Sequence, residues 1–470
     1  MNTSTARLDR WTTLAILAAV ALSFNACHQG APGTSFGTNP GGGGGGMGTI
    51  VLFAEDQPSG NILSYEMTIS SVTITPSAGS AVPLVTTAVP LEWRSRTVGP
   101  TLLGINAVAP ATYTSLTVTI SSIQMTVFDP ISSTFSEVTC PSATCSLSSS
   151  SLSVPVSITL AADTFQGLRL DFDLRSSITL NPMNNFVVTP MFTAVPTSFV
   201  SGQVQGELDD VLGTIGTPST LNGNFPFTVF SSNQMVTVPV DSNTRFEQVS
   251  GLTGLSNGER VELDARLQSN GNFLALEVER ETTSTSAQQL RGLVLSRTPA
   301  VGTLTSLNLL VMDAIPTPPA AQEPGEIVTV TVDSSSTFRI STEDLPTASF
   351  PNLDFDRTTL QAGQFIHVVQ RTGATGFTAD AVTLDEIALT GQVGSSVGAN
   401  SFTFVPDGDF FNSIGLGTIN VQVTSPTELE NMPAGLASLQ PNISIVAVRG
   451  VLVFSAGNGV LMAKRVRLLQ

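Results

Sequence analysis

Four short landmarks recur in the same order, three times over, between Phe199 and the C-terminus. Each unit opens with a strand-like segment around a glycine, "VSGQVQG", "LRGLVLS" or "LTGQVGS". The second landmark is "VTVPVDSNTRF", "VTVTVDSSSTF" or "INVQVTSPTEL", and the third is "LSNGERVELDARL", "LQAGQFIHVVQRT" or "LQPNISIVAVRGV". The units close with "GNFLALEVERE", "TGFTADAVTLDE" or "GNGVLMAKRVRLL". The opening glycines lie about 90 residues apart, well beyond the roughly 20–50 residues of solenoid repeats. A unit of that length can close its own core, so the pattern predicts three beads in tandem. Five or six short strands per unit, with a glycine-bearing turn before the fourth, fit a small OB-like barrel. The third unit diverges most: Pro441-Asn442 stands where the others carry Asn257-Gly258 and Ala362-Gly363.

Before the repeats, period-two alternation again dominates, as in "SYEMTISSVTITP", "YTSLTVTISSIQMTVFDP" and "GLRLDFDLRSSITL". No segment after Gly48 keeps a helical period for three turns. The segment from Gly48 to Pro196 is sandwich-sized. Within it, "TISSVTIT" (68–75) and "TISSIQMT" (119–126) each carry a Ser-Ser pair that shifts the alternation, which predicts a bulge. In "GLRLDFDLRSS", Leu168, Leu170, Phe172 and Leu174 fall on one face, and Arg169, Asp171, Asp173 and Arg175 on the other. The second set reads as a charge stripe neutralised by its own arginines rather than as a metal or acid–base pair. Linkers follow the same division. "TAVPTSFV" separates the sandwich from the first repeat and "RETTSTSAQQ" (280–289) the first repeat from the second. The junction near "DEIALT" is short, and "DAIPTPPAAQEPGE" (313–326) reads as a protruding hairpin tip.

These residues carry two resemblances. "GTIVLFAEDQP", "APATYTSLTVTI" and "LDFDLRSSI" together resemble an N-terminal domain of unknown function common in bacterial lipoproteins, with "EDQP" and Ala111 departing from its pattern. The resemblance implies a prealbumin/Ig-like β-sandwich and no activity. The repeats resemble a second bacterial domain of unknown function that occurs in tandem in envelope proteins. The expected fold is therefore all-β, an N-terminal sandwich followed by three tandem OB-like small barrels. The division is a leader at 1–26, a tether at 27–47, the sandwich at 48–197, and repeats at 198–283, 288–387 and 388–470.

The N-terminus bears on location. Arg7 and Arg10 precede "WTTLAILAAVALSF", an apolar run shorter than the roughly 20 residues of a membrane span, which reads as an export signal. "SFNAC" resembles a bacterial lipobox, with Ala26 before the cysteine. That resemblance makes Cys27 the site of lipid attachment, and multiple acyl chains make a stable anchor. His28 stands where aspartate would signal inner-membrane retention, which implies an outer-membrane anchor with the body facing the periplasm or cell surface. The glycine-rich stretch that follows reads as a flexible tether. With Cys27 acylated, Cys140 and Cys145 remain as an even pair in an oxidising compartment and read as a local disulfide clip.

The net charge of −17 comes from 36 acids against 19 bases, of which only Lys464 is a lysine. Such a chain repels a phosphate backbone, so nucleic acid is not an expected partner. Chemistry is sparse. His28 lies in the tether, and His367 alternates with Phe365 and Val369 as a packed or surface residue. A zinc site on His or Cys clusters is not expected, since the one cysteine pair has no further ligands. G-x-S-x-G occurs as "GTSFG" (33–37) and "GSSVG" (394–398), but the first is in the tether and no histidine follows Ser396. "PDGDFFNS" hints at calcium through Asp407, Asp409 and Asn412, and "NLDFDRTT" through Asp354 and Asp356, without the ligand set of an EF-hand. Sugar clefts are usually lined with Trp and Tyr, and the chain beyond the leader offers Trp93, Tyr65 and Tyr113. The reading is a membrane-anchored, non-catalytic envelope lipoprotein, a structural or binding module without catalytic, metal or cofactor residues. The alternatives are an envelope glycan- or protein-binding protein and a carboxylate-dependent hydrolase.

Overall fold

The computed structural model describes residues 46–57, 60–96, 99–197, 207–282, 287–315, 322–340, 354–455 and 457–469. Almost all of its regular structure is strand; the two α-helical turns, Leu174–Ser177 and Asp409–Ser413, are one turn each. The sandwich comes first. Gly48–Gln57 lies parallel to Phe165–Asp173 and antiparallel to Thr101–Val108, and Phe192–Pro196 completes the sheet. "TAVP" is thus part of this sheet rather than of the linker, because Val195 and Ala194 pair with Arg169 and Leu170. The facing sheet is built on two long antiparallel strands, Ile62–Pro76 and Ala111–Asp129.

Those strands contain the two Ser-Ser segments, which pair with one another. Thr68 lies opposite Ser122, Ile69 opposite Ile120 and Ser71 opposite Thr119, so Ser121 and Ser70 are each an extra residue on opposite strands. The second bulge restores the register that the first one shifts, and both strands keep their apolar faces inward. The core between the sheets centres on Phe172, with Tyr65 and Trp93 at 5.4 Å and Phe192 at 4.9 Å between ring centroids. A disulfide joins Cys140 and Cys145, both buried, with α-carbons 5.1 Å apart.

Each barrel follows one plan. In the first, Glu207–Ile215, Asn224–Val229 and Met235–Pro239 form an antiparallel meander. Arg260–Leu267 pairs with the opening strand and with Phe273–Thr282, and Arg245–Glu247 runs parallel to Phe273–Thr282, so the described strands form one curved six-stranded sheet with Met235–Pro239 and Arg245–Glu247 at its two edges. The second closes its ring where Ile327–Thr331 runs parallel to Phe377–Val397, with Thr337–Ile340 parallel to the same strand farther along. In the third, Ile419–Gln422 and Glu428–Glu430 run parallel to Asn458–Leu468. A meander closed by one parallel pairing is the OB-type barrel. The divergent third repeat keeps the backbone of its relatives at the turn before the fourth strand. Asn442 has φ 59°, where Gly258 has 89° and Gly363 has 90°, and asparagine is among the few residues that tolerate this region.

The repeats are not separate beads. One strand, Phe377–Val397, closes the second barrel with its first half and opens the third with its second half. The handover is at Asp385 and Glu386. Before it, Val382 and Leu384 face the second barrel's core; after it, Ile387 and Leu389 face the third's. Cores also merge across boundaries. Leu293, Leu310 and Met312 of the second barrel join the third barrel's core, while Val451 and Met462 of the third join the second's. Val51 and Phe53 on the outer face of the sandwich join the first barrel, with Phe53 and Phe273 6.2 Å apart. The proline-rich insertion likewise folds back rather than protruding at its C-terminal side, where Gly325 O accepts a hydrogen bond from Thr126 Oγ1 at 2.7 Å.

Candidate functional site

The alternation that puts apolar side chains inside each barrel puts charged ones outside, and the outward faces meet. The last strand, "NGVLMAKRVRL", brings most of the cations. Arg465 and Arg467 point away from the third barrel's core, and Lys464 sits at a bulge opposite Arg449 and Gly450. Asp209 of the first barrel, 2 % exposed, receives Arg465 at 2.9 Å, Arg449 at 3.1 Å and Lys464 at 3.5 Å. Burial works against its charge, but these three cations hold its carboxyl well below the usual carboxylate range. Lys464 also reaches Asp264 at 3.2 Å and Glu386 at 3.4 Å, so the single lysine of the chain is bound by three carboxylates. Arg467 is 2.5 Å from the fully buried Glu55 of the sandwich and 2.6 Å from Glu430.

A second set joins the first two barrels. Glu262, Glu279 and Glu281 of the first barrel meet Arg291 at 2.5 Å, Arg339 at 3.4 Å and His367 at 2.9 Å. Arg291 also binds Asp385 at the strand handover. Burial raises Glu279 to about 7, with Glu281 adding to the shift and Arg339 opposing it. Burial opposes the charge on Glu281 too, but His367, Arg291 and Arg339 together outweigh it and bring the group to about 2. These contacts fix the four domains against one another.

The fixed arrangement leaves a cleft of about 530 Å³ walled by the sandwich, the first barrel and the second barrel. Leu91, Leu212, Phe230, Met312 and Ile315 line it with apolar surface, and Phe230 at the rim is 40 % exposed. Its charged groups are Glu66, Glu92, Arg96, Arg260 and Asp313. Glu66 stands on Ile62–Pro76 directly opposite Glu92. Burial, then the charges of Glu92 and Glu323, raise Glu66 to about 7. Glu92 is held differently, accepting backbone N–H bonds from Tyr65 at 2.8 Å and Ser95 at 2.6 Å.

The residues singled out in the sequence lie elsewhere. Cys27, His28 and "GTSFG" fall outside the described residues. His367 is buried between Glu281 and Gln289, whose Oε1 is 3.0 Å from Nε2. Ser396 belongs to the strand Phe377–Val397, its N–H donating to Thr403 Oγ1 at 3.1 Å, so it is no nucleophile elbow. The arginines of the stripe reach partners beyond it. Arg169 binds Glu55 at 2.9 Å, Arg175 lies 3.5 Å from Asp407, and Asp173 ends the strand by accepting from Ser176 N–H at 2.9 Å. "PDGDFFNS" is a docking turn: Asp409 bonds Asn61 through both side chain and backbone, and Phe410 packs 5.6 Å from Phe128 of the sandwich. Asp356 caps its own turn through the N–H groups of Thr358 and Thr359, while Asp354 is exposed. Trp93, Tyr65 and Tyr113 are all in the sandwich core. Among the described residues, no group of three His, Cys, Asp or Glu is placed to hold a metal ion.

Residues 47–190 match the domain of unknown function DUF4382. Residues 219–279, inside the first barrel, match a second domain of unknown function, DUF5666. No curated protein matches the chain. Among solved structures, the Drosophila Unr CSD456 structure is 11 % identical, covering 55 % of this chain and 97 % of that one, with a TM-score of 0.13. The single-stranded DNA binding protein from Thermus aquaticus is 17 % identical, covering 39 % of this chain and 92 % of that one, with a TM-score of 0.15. Superposition at such TM-scores is too poor to bear on ligand or mechanism. The two family matches agree with a chain assembled from domains of unknown function; the OB-type closure of the second and third barrels rests on the strand pairings themselves.

Sequence reasoning missed the cleft and the hub because both are made between domains. One signal was present. In a chain with 19 bases, Arg449, Lys464, Arg465 and Arg467 gather in the last hairpin, a concentration that a solvated face does not require.

Proposed function

We propose that this chain is a membrane-anchored, non-catalytic lipoprotein of the bacterial cell envelope that serves as a binding module. Cys27 carries the lipid, the glycine-rich stretch spans the gap to the body, and the three-domain cleft holds the ligand. One observation carries the binding part of this reading: the cleft's walls come from three domains that buried ion pairs lock in place, so the pocket is preorganised. The placement of Arg449, Arg465 and Arg467 supports a partner other than nucleic acid, since these cations are spent on Asp209, Glu55 and Glu430. Labelling with radioactive palmitate tests the anchor. Wild type should take up label and Cys27→Ser should not; an unlabelled wild type removes the claim.

A second reading has one observation in its favour. Glu66, raised to about 7 inside the cleft, sits at the pH where a general acid works best, and Asp313 lies in the same cleft. A carboxylate-dependent hydrolase would use this pair. Turnover of glycan or ester substrates that Glu66→Gln abolishes would establish it, and uniformly silent screens with wild type would retire it.

A further inference from the structure

We infer that the three-domain cleft selects an organic cation, a ligand that joins an ammonium group to an apolar body, and that Glu66 is the residue that receives its charge. The inference rests on the binding-module reading and deepens it.

Most of the cleft's charged groups already have partners. Arg96 faces Asp313 at 4.0 Å and lies in the field of Glu92 and Glu262. Arg260 donates to the carbonyl of Ala287 at 3.4 Å. Glu92 accepts two backbone N–H groups. Glu66 alone of the cleft's acids makes no hydrogen bond or ion pair among the described residues, and its nearest charged neighbours, Glu92 and Glu323, have the same sign. The uncompensated charge of the pocket is therefore negative and sits at one point on the sandwich wall. A ligand anion would meet arginines already engaged and a carboxylate that repels it. A ligand cation relieves the repulsion among three acids and supplies the donor that Glu66 lacks.

The rest of the lining specifies the body of the ligand. Leu91, Leu212, Met312 and Ile315 are buried, and Phe230 closes the rim from the first barrel. An alkyl or aryl chain would cover this surface, and the Phe230 ring face can also accept a cationic edge. The cleft volume suits a small molecule or a single side chain from a partner, not a folded domain.

Titration calorimetry on the full-length protein with three isosteric probes, n-hexylammonium, hexanol and hexanoate, tests this. The ammonium should bind tightest and hexanoate weakest. Glu66→Gln should weaken the ammonium by roughly 10- to 100-fold, the worth of a charge-assisted hydrogen bond, and leave hexanol unchanged. Wild-type affinity for the ammonium should rise about tenfold from pH 6 to pH 8 as a group near 7 ionises, and this rise should vanish in Glu66→Gln. Phe230→Ala, a surface change that leaves the fold intact, should weaken hexylammonium and hexanol alike by about fivefold. Tighter binding of hexanoate, or ammonium binding indifferent to Glu66→Gln, overturns the cation assignment. If Phe230→Ala still weakens the probes in that case, the binding-module reading survives alone. If none of the three probes binds, both fall.

Discussion

The first and second barrels share a topology and a repeat with the second and third, yet the two junctions are built from opposite chemistry. Between the first pair, separate strands face each other through Glu262, Glu279 and Glu281 on one side and Arg291, Arg339 and His367 on the other. Between the second pair there is no gap in the chain's hydrogen bonding. Phe377–Val397 belongs to both barrels, and apolar residues from each complete the other's core. A charged interface is directional and sensitive to its partners, because removing one ion leaves the other buried and uncompensated. An apolar interface on a common strand is non-directional and ties the stability of one body to the other. Tandem repetition thus sets the fold of each unit without setting how neighbours couple.

The largest effect should come from the first barrel's other charged contact, the hub where it meets the third barrel. Asp209 lies among Arg449, Arg465 and Lys464, so Asp209→Ala should destabilise the docking of the first barrel by about 3–5 kcal/mol. Limited proteolysis should then cut the 280–289 connection early while the second and third barrels stay intact. A variant with wild-type resistance would show that the hub is not what holds the first barrel. The shared side should respond differently. Leu389→Ala, in the third barrel's core on the common strand, should cost about 3 kcal/mol. Denaturant unfolding should show the second and third barrels melting together; two separated transitions would break the contrast between the junctions.

Much of each barrel was legible because strand faces repeat every two residues. Val236 and Val238 or Val328 and Val330 announce their inward face in the sequence, and all four are buried. The paired bulges were legible too, since a Ser-Ser insertion must shift alternation wherever it occurs. What alternation cannot say is what covers the outward face. Arg169 and Asp171 read as part of a self-neutralised charge stripe, yet Arg169 binds Glu55, which is fully buried under Arg467, over 400 residues later. Likewise Glu66 looks like any outward acid of a strand, and its cleft exists only once Phe230 and Met312 arrive from two other domains. Asp385-Glu386 opens "DEIALT", the short junction between the second and third repeats, where two adjacent charges interrupt the alternation. In the fold those charges mark the point where one strand changes barrels, with Asp385 taken by Arg291 and Glu386 by Arg449.

The charged junction should also carry a pH signature that the apolar one lacks. Burial raises Glu279 to about 7, above its ordinary unfolded value, so the folded state holds this proton more tightly. Its contribution is fully present below the unfolded value of about 4.5 and is lost as pH rises through about 7. Glu281 of the same junction, and Asp209 where the first barrel meets the third, behave in the opposite sense: their folded values are lowered, so their contribution is present above the unfolded carboxylate range and lost in acid. Between pH 4.5 and 7 the junction should therefore weaken, and Glu279→Gln should flatten that slope and gain roughly 1–3 kcal/mol at pH 8. Thermal midpoints across that range, measured beside Glu66→Gln to separate the cleft's own acid, would check it; an unchanged slope would mean that Arg339 outweighs the burial.

The finest comparison uses one turn that both junctions inherit. Gly258 in the first barrel and Gly363 in the second occupy the same place in the repeat with φ of 89° and 90°. Any side chain there is strained, and alanine should cost about 1–2 kcal/mol at each from backbone conformation alone. Their surroundings differ. A Cβ on Gly258 would meet nothing within 4 Å, whereas one on Gly363 would lie 2.8 Å from Leu416 and 2.9 Å from Ile414, both in the third barrel. Gly363→Ala must push those side chains out of the shared interface, so it should cost about 1 kcal/mol more than Gly258→Ala. Because the backbone penalty is common to both, the difference between the two unfolding free energies isolates packing across the second junction. Equal losses would mean that Leu416 and Ile414 yield freely and that the shared strand alone couples the last two barrels.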